Sequence, residues 1–184
     1  MGRWQSVEPY PALQELARRY LRAYGPATPE DFARWWDGGA GIIPARKLFQ
    51  SIEDELEAVE VEGWRAFALR TTLEPMQRLE TPGAVRLLPL FDAYVLGLGR
   101  HVEPLLPKAY RPQVFRPQGW ISAVVLVDGC MKGVWDHKIR DSHTIVKVHL
   151  FSLPTASIRQ GLEVEADRLS AFLNSKVVLE YETR

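Results

Sequence analysis

Between Pro11 and Tyr24 the apolar residues Leu13, Leu16, Ala17, Tyr20, Leu21 and Tyr24 fall on one helical face, with charge between them. Gly25-Pro26 stops that helix. Thr28 opens the next, its hydroxyl placed to accept from the amides ahead. Pro29 takes the first helical position, and Glu30 and Asp31 sit at the positive end of the helix dipole. Phe32, Trp35 and Trp36 give this helix its apolar face, and Gly38, Gly39 and Gly41 make a turn. A third helix from near Pro44 carries Leu48, Phe49, Ile52 and Leu56 inward and Arg46, Lys47 and Gln50 outward. Glu55–Val61 and Trp64–Leu69 then alternate as two strands about a Glu62-Gly63 turn. Three helices followed by a hairpin is the element order of a winged helix, a helix-turn-helix variant.

Residues 71–85 read as linker, with Pro75, Thr81, Pro82 and Gly83. Arg86–His101 is mostly apolar and reads as a buried crossing segment, broken by Pro89 and Gly97. Asp92 in its middle is costly to bury without a partner. It reads either as a cap on a turn or helix start, or as one half of an acid/base pair with His101. Pro104, Pro107, Pro112 and Pro117 follow, with a short helix expected over Lys108–Val114. Ile121–Trp135 is a hairpin: a β-branched run, Asp128-Gly129 as a type I′ turn signal, and a returning strand. Thr144–Leu150 is a third strand, Pro154–Leu173 an amphipathic helix and Val177–Tyr181 a closing strand.

The expected fold class is therefore α+β. Residues 1–73 are read as a winged helix-turn-helix domain and 74–84 as a linker. Residues 85–184 are read as a small antiparallel β meander or partial barrel with a covering C-terminal helix.

Charge sharpens the reading. The 184 residues carry 23 basic and 23 acidic groups, which excludes a strongly basic nucleic-acid protein by bulk charge. The distribution is uneven: residues 84–147 hold 9 basic against 5 acidic groups, so a polyanion contact belongs to the second half. The single Cys130 excludes an internal disulfide and suits a reducing, cytoplasmic setting. No apolar run approaches the ~18 residues that cross a bilayer, so no membrane contact is expected.

Two basic groups are candidates for DNA contact. Arg46, Lys47 and Gln50 lie near the start of the third helix, the element that enters a major groove in helix-turn-helix proteins. Arg100, His101, Lys108, Arg111 and Arg116 are interleaved with Tyr110, Phe115 and Trp120, a combination suited to phosphates and stacked bases. Either set also reads as a solvated face. The acidic hairpin (Glu57, Glu60, Glu62) repels phosphate and favours an interaction module that binds protein or a second copy. His137, His143 and His149 lack any metal-ligand signature, and no cofactor fingerprint is present.

Three stretches carry a resemblance to a family: LARRYLRAYGPATPEDFARWW at Leu16–Trp36, VRLLPLFDAYVLGLGRH at Val85–His101, and VFRPQGWISAVVLVDGCMKGVW at Val114–Trp135. Together they resemble the bacterial winged-helix family of AlkZ-like DNA glycosylases, which remove alkylated or crosslinked bases. The resemblance implies tandem winged helices followed by a β-rich unit, binding to double-stranded and damaged DNA, and hydrolysis of an N-glycosidic bond in longer members. Those members carry a Q-x-Q or Q-x-D catalytic motif in an upstream winged helix. No glutamine of this sequence starts such a motif. The chain thus resembles the C-terminal part of such an enzyme, a DNA-binding portion without its catalytic glutamines. Asp92 and His101 are its remaining catalytic candidates.

Overall fold

A computed structural model describes residues 7–36, 41–61, 63–78, 83–97 and 103–182. The chain forms two compact units, Met1–Leu79 and Glu80–Arg184.

Unit 1 contains α1 (Pro9–Tyr24), α2 (Pro29–Trp35), α3 (Ile42–Gln50), β1 (Leu56–Val61), β2 (Trp64–Leu69) and α4 (Arg70–Gln77). Thr28 and Asp31 close a reciprocal cap at the head of α2. The Asp31 amide donates to Thr28 Oγ1 at 3.2 Å, and the Thr28 amide donates to Asp31 Oδ2 at 3.0 Å. Gly25 is needed behind α1, because a Cβ there would lie 2.4 Å from the Leu21 carbonyl oxygen. The core centres on Phe32, fully buried and 5.2 Å from the Tyr20 ring and 5.9 Å from Phe49. β1 and β2 form an antiparallel hairpin. Ala27, between α1 and α2, bridges Phe67 of β2 with hydrogen bonds of 3.0 and 2.9 Å, so three backbone segments share this small sheet. α4 runs into the stretch 74–84 expected as linker; its interior Pro75 conceals it in the sequence.

Unit 2 contains β3 (Val85–Leu88), α5 (Ala93–Gly97), α6 (Arg111–Val114), β4 (Val124–Val127), β5 (Cys130–Ile139), β6 (His143–Leu150), α7 (Ala156–Leu173) and β7 (Lys176–Glu182). The five strands form one sheet in the order β3-β4-β5-β6-β7. Asp128 and Gly129 both have positive φ (49° and 80°), as a type I′ turn requires between β4 and β5. β3 to β6 pair antiparallel, but β7 lies parallel to β6. This corrects the expected all-antiparallel meander. The 18-residue α7 returns the chain to the end of the sheet where β6 began, and a strand entered there runs alongside β6.

The sheet is buried on both faces around β4, whereas the far half of β5 and most of β7 are exposed. Val85, Leu87, Val125, Val127, Val146 and Val148 pack with Leu162 of α7. On the other face Val124 and Met131 pack with Val95, Leu106, Val114 and Ile121 from the proline-rich segment. The uninterrupted apolar run of β4 follows from this double cover. The segment read as a buried crossing is only half that: Val85, Leu87 and Val95 are buried, whereas Leu90, Phe91 and Leu96 are 49%, 42% and 52% exposed. Phe91 takes a positive φ of 55°, which turns the chain outward after β3.

Candidate nucleic-acid interface

The basic segment of unit 2 is held by its apolar residues and carries its cations outward. Lys108–Tyr110 forms a 3-10 turn that runs into α6. Tyr110 lies flat on Phe151, with ring centroids 4.3 Å apart, and its hydroxyl donates to the Phe151 carbonyl at 2.9 Å. Val114 is fully buried, and its carbonyl accepts the Ser122 amide at 2.9 Å. The Arg116 amide donates to the Trp120 carbonyl at 2.8 Å, closing a loop through Gln118 and Gly119, both at positive φ. Arg116 and Trp120 therefore stand side by side at the base of this loop, both exposed. Trp120 meets Phe91 edge to face at 5.1 Å.

Lys108, Arg111 and Arg116 are exposed and make no ion pair among the described residues. Arg111 lies over the Phe115 ring at 6.0 Å. Three cations without counter-charges on one proline-stiffened segment are available to phosphates. Arg100 and His101, read from the sequence as part of this cluster, lie outside the described residues.

Beside the loop opens a cleft of about 730 Å³ lined by Arg116, Trp120, Val134, Asp136, His149 and Glu182, among others. Part of its lining belongs to an alternation of charge. His149 Nε2 lies 3.8 Å from Asp136 Oδ2, and its Nδ1 lies 3.4 Å from Glu182 Oε2. Lys147 Nζ reaches Glu182 Oε1 at 3.3 Å. The sequence reading missed Asp136 and Glu182. Only the sheet register joins them, since His149 pairs with Val134 on one side and with Glu182 on the other.

In unit 1, Arg46, Lys47 and Gln50 are all exposed on α3. Arg46 is engaged with Glu30, its Nη2 2.6 Å from Oε1. Arg46 and Gln50 also border a cleft of about 640 Å³ with Phe49 and Phe67. Asp92 caps α5: its Oδ1 accepts the Tyr94 amide at 2.8 Å, and its carbonyl accepts the Leu96 amide at 3.0 Å. Tyr94 is anchored by donating its hydroxyl to the Gly129 carbonyl at 2.8 Å, and burial raises its phenol above the usual range.

No group of three or more His, Cys, Asp or Glu residues is disposed to hold a metal ion among the described residues. Among them, too, no helix is long and apolar enough to cross a membrane.

The model of a family described as DNA glycosylase AlkZ-like matches residues 2–172. An interstrand DNA cross-link repair glycosylase from Streptomyces sahachiroi is 42% identical over 130 residues, which are 70% of this chain and 35% of that protein. The solved structure of the DNA glycosylase AlkZ from the same organism superposes with a TM-score of 0.80 at 34% identity. That superposition covers 98% of this chain and 48% of the solved one, so the chain spans about half the length of this relative. The likeness runs through both units, and the chain belongs to the AlkZ-like DNA glycosylase family.

Proposed function

We propose that this chain is a DNA-binding portion of a repair glycosylase, engaging duplex DNA at or near alkylated or crosslinked bases in the cytoplasm. The observation that carries this reading is the run of cations Lys108, Arg111 and Arg116, free of ion pairs among the described residues, in a member of a DNA glycosylase family. Phosphate contacts by these groups release counterions, and the aromatic rings between them offer stacking faces. Unit 1 is read as a winged helix. The order α1–α2–α3–hairpin and the Ala27–Phe67 bridge support that reading, with Lys47 and Gln50 on the α3 face offered to the duplex. Residues 74–84 are read as the linker between this domain and the β-rich domain over 85–184.

The sequence holds no Q-x-Q or Q-x-D motif, so the excision chemistry of longer relatives is assigned elsewhere than to these residues. An acid/base pair of Asp92 with His101 is the alternative site for that step. It requires the Asp92 carboxylate to serve a reaction while also capping α5.

The test is a fluorescence-anisotropy titration with a short duplex, with and without an abasic site, at two salt concentrations. The expected result is salt-sensitive binding with preference for the damaged duplex. Changing Arg111 and Arg116 together to Ala is expected to weaken binding and to reduce the salt slope by about 2. Absence of binding at low salt overturns the proposal.

A second reading is favoured by one observation: β1 exposes Glu57 and Glu60, and Glu53 and Asp54 stand exposed just before it. That acidic edge suits a protein partner or a second copy of the chain. Sedimentation would then give a dimer, with no DNA retained.

A further inference from the structure

We propose that the unit 2 cleft receives a single unpaired guanine nucleotide, read on its Watson–Crick edge by the Asp136 carboxylate. This rests on the DNA-binding reading above and names what the cleft takes from the duplex.

The cleft lining carries both kinds of charge. Arg116 brings a guanidinium with no ion pair among the described residues. Asp136, His149 and Glu182 line the same cleft. A nucleotide offers the matching pair of groups, an anionic phosphate and a hydrogen-bonding base edge. The volume of about 730 Å³ falls within the range of small-molecule sites. Trp120 stands at the rim, 46% exposed, and its edge-to-face contact with Phe91 uses only part of the indole. The rest of its surface is open to a stacked base.

The acidic groups determine which base. An ionised carboxylate only accepts hydrogen bonds. Of the two carboxylates, Glu182 is engaged by Lys147 at 3.3 Å and faces His149 at 3.4 Å. Among the described residues Asp136 meets only His149 Nε2, at 3.8 Å, and its side chain is 64% exposed. Its two oxygens therefore retain their capacity for a pair of parallel donors. Guanine presents such a pair in its N1–H and N2 amino group. Adenine and cytosine place a ring acceptor beside their amino group, which repels the second oxygen. Thymine offers one N–H between two carbonyls. The guanine edge is occupied within a base pair, so the nucleotide must leave the stack to reach Asp136.

The experiment compares three duplexes by anisotropy at one salt concentration: fully paired, with one bulged dG, and with one bulged dT. The wild-type chain is expected to bind the dG bulge about tenfold more tightly than the paired duplex, the scale of one base stacked on an aromatic face. The dT bulge is expected to fall well below the dG bulge. Asp136→Asn should remove the preference of dG over dT, and Trp120→Ala should remove the preference for either bulge. Asp136→Asn is at an exposed side chain and should leave paired-duplex affinity unchanged. Equal affinity for dG and dT bulges, or an Asp136→Asn chain that keeps the preference, overturns the inference and leaves duplex binding standing. Failure to bind any of the three duplexes overturns both readings.

Discussion

Glu165 Oε2 of α7 accepts the Leu87 amide of β3 at 3.1 Å, joining residues 78 positions apart. β3 is an edge strand, and an edge amide is an invitation to a foreign strand. Here a buried carboxylate takes that amide, held in turn by Arg168 at 2.8 Å and Arg86 at 3.5 Å. Glu165→Ala leaves the amide without its partner and is expected to cost unit 2 about 1–3 kcal/mol. Urea unfolding measures it. An unchanged midpoint would show that water or another group replaces the carboxylate.

One turn earlier, Gly161 packs α7 against the same strand. A Cβ there would stand 2.4 Å from Val85 Cγ2 and 2.8 Å from its Cβ. Alanine favours a helix over glycine by about 1 kcal/mol, so an uncrowded site would gain from the change. Gly161→Ala is instead expected to destabilise by about 1–3 kcal/mol through overpacking. Adding Val85→Ala should recover part of the loss. A double variant no more stable than the sum of the two single losses would argue against direct crowding.

Unit 1 carries an acid-sensitive contact. Arg18 Nε and Nη2 lie 2.9 and 2.8 Å from the two oxygens of Glu55, and this hydrogen bonding holds the Glu55 carboxyl below its ordinary 4.5. A folded-state pKa below the unfolded one adds stability that is fully present above pH 4.5 and is lost as pH falls through the lowered value. The pair is partly exposed, so its contribution is under about 1 kcal/mol. Glu55→Gln should lower stability near pH 7, and the gap to wild type should close as pH falls through the lowered pKa of Glu55. A gap that persists in acid would assign the loss to packing rather than to charge.

The Glu30–Arg46 pair sets a further expectation, resting on the proposed DNA contact of α3. Lys47 is exposed, whereas Arg46 is held at 2.6 Å by Glu30. Lys47→Ala should therefore weaken duplex binding and lower the salt slope by about 1. Glu30→Gln should release Arg46 and tighten binding at low salt. If Glu30→Gln instead weakens binding, the pair orients Arg46 rather than restraining it.

What the sequence made legible was local. Thr28-Pro29-Glu30-Asp31 announces the head of α2, and the reciprocal Thr28–Asp31 cap is there. Asp128-Gly129 announces a hairpin, and both residues take the positive φ that its turn needs. The cations of Lys108–Arg116 stood out because few acidic residues surround them. What stayed hidden was non-local or masked by composition. α4 was concealed by its own Pro75. Leu90, Phe91 and Leu96 look like core in a list of residues, yet a positive φ at Phe91 turns the chain outward. The wall of Asp136, His149 and Glu182 needs three strands in register, and no spacing along the chain reports that.

The parallel pairing of β6 with β7 also bears on the order of assembly. β4 and β5 are joined by a two-residue turn, so their register is available at almost no loop-closure cost. β7 reaches β6 only after α7 has wound and folded back, so that His143 meets Lys176. Until then one rim of β6 has bare amides and carbonyls. Pulse-labelled hydrogen exchange during refolding should find the β4–β5 amides protected first and those of β7 last. Unit 2 in this account is knitted from its tight turn outward, and α7 works as the shuttle that carries the final thread across.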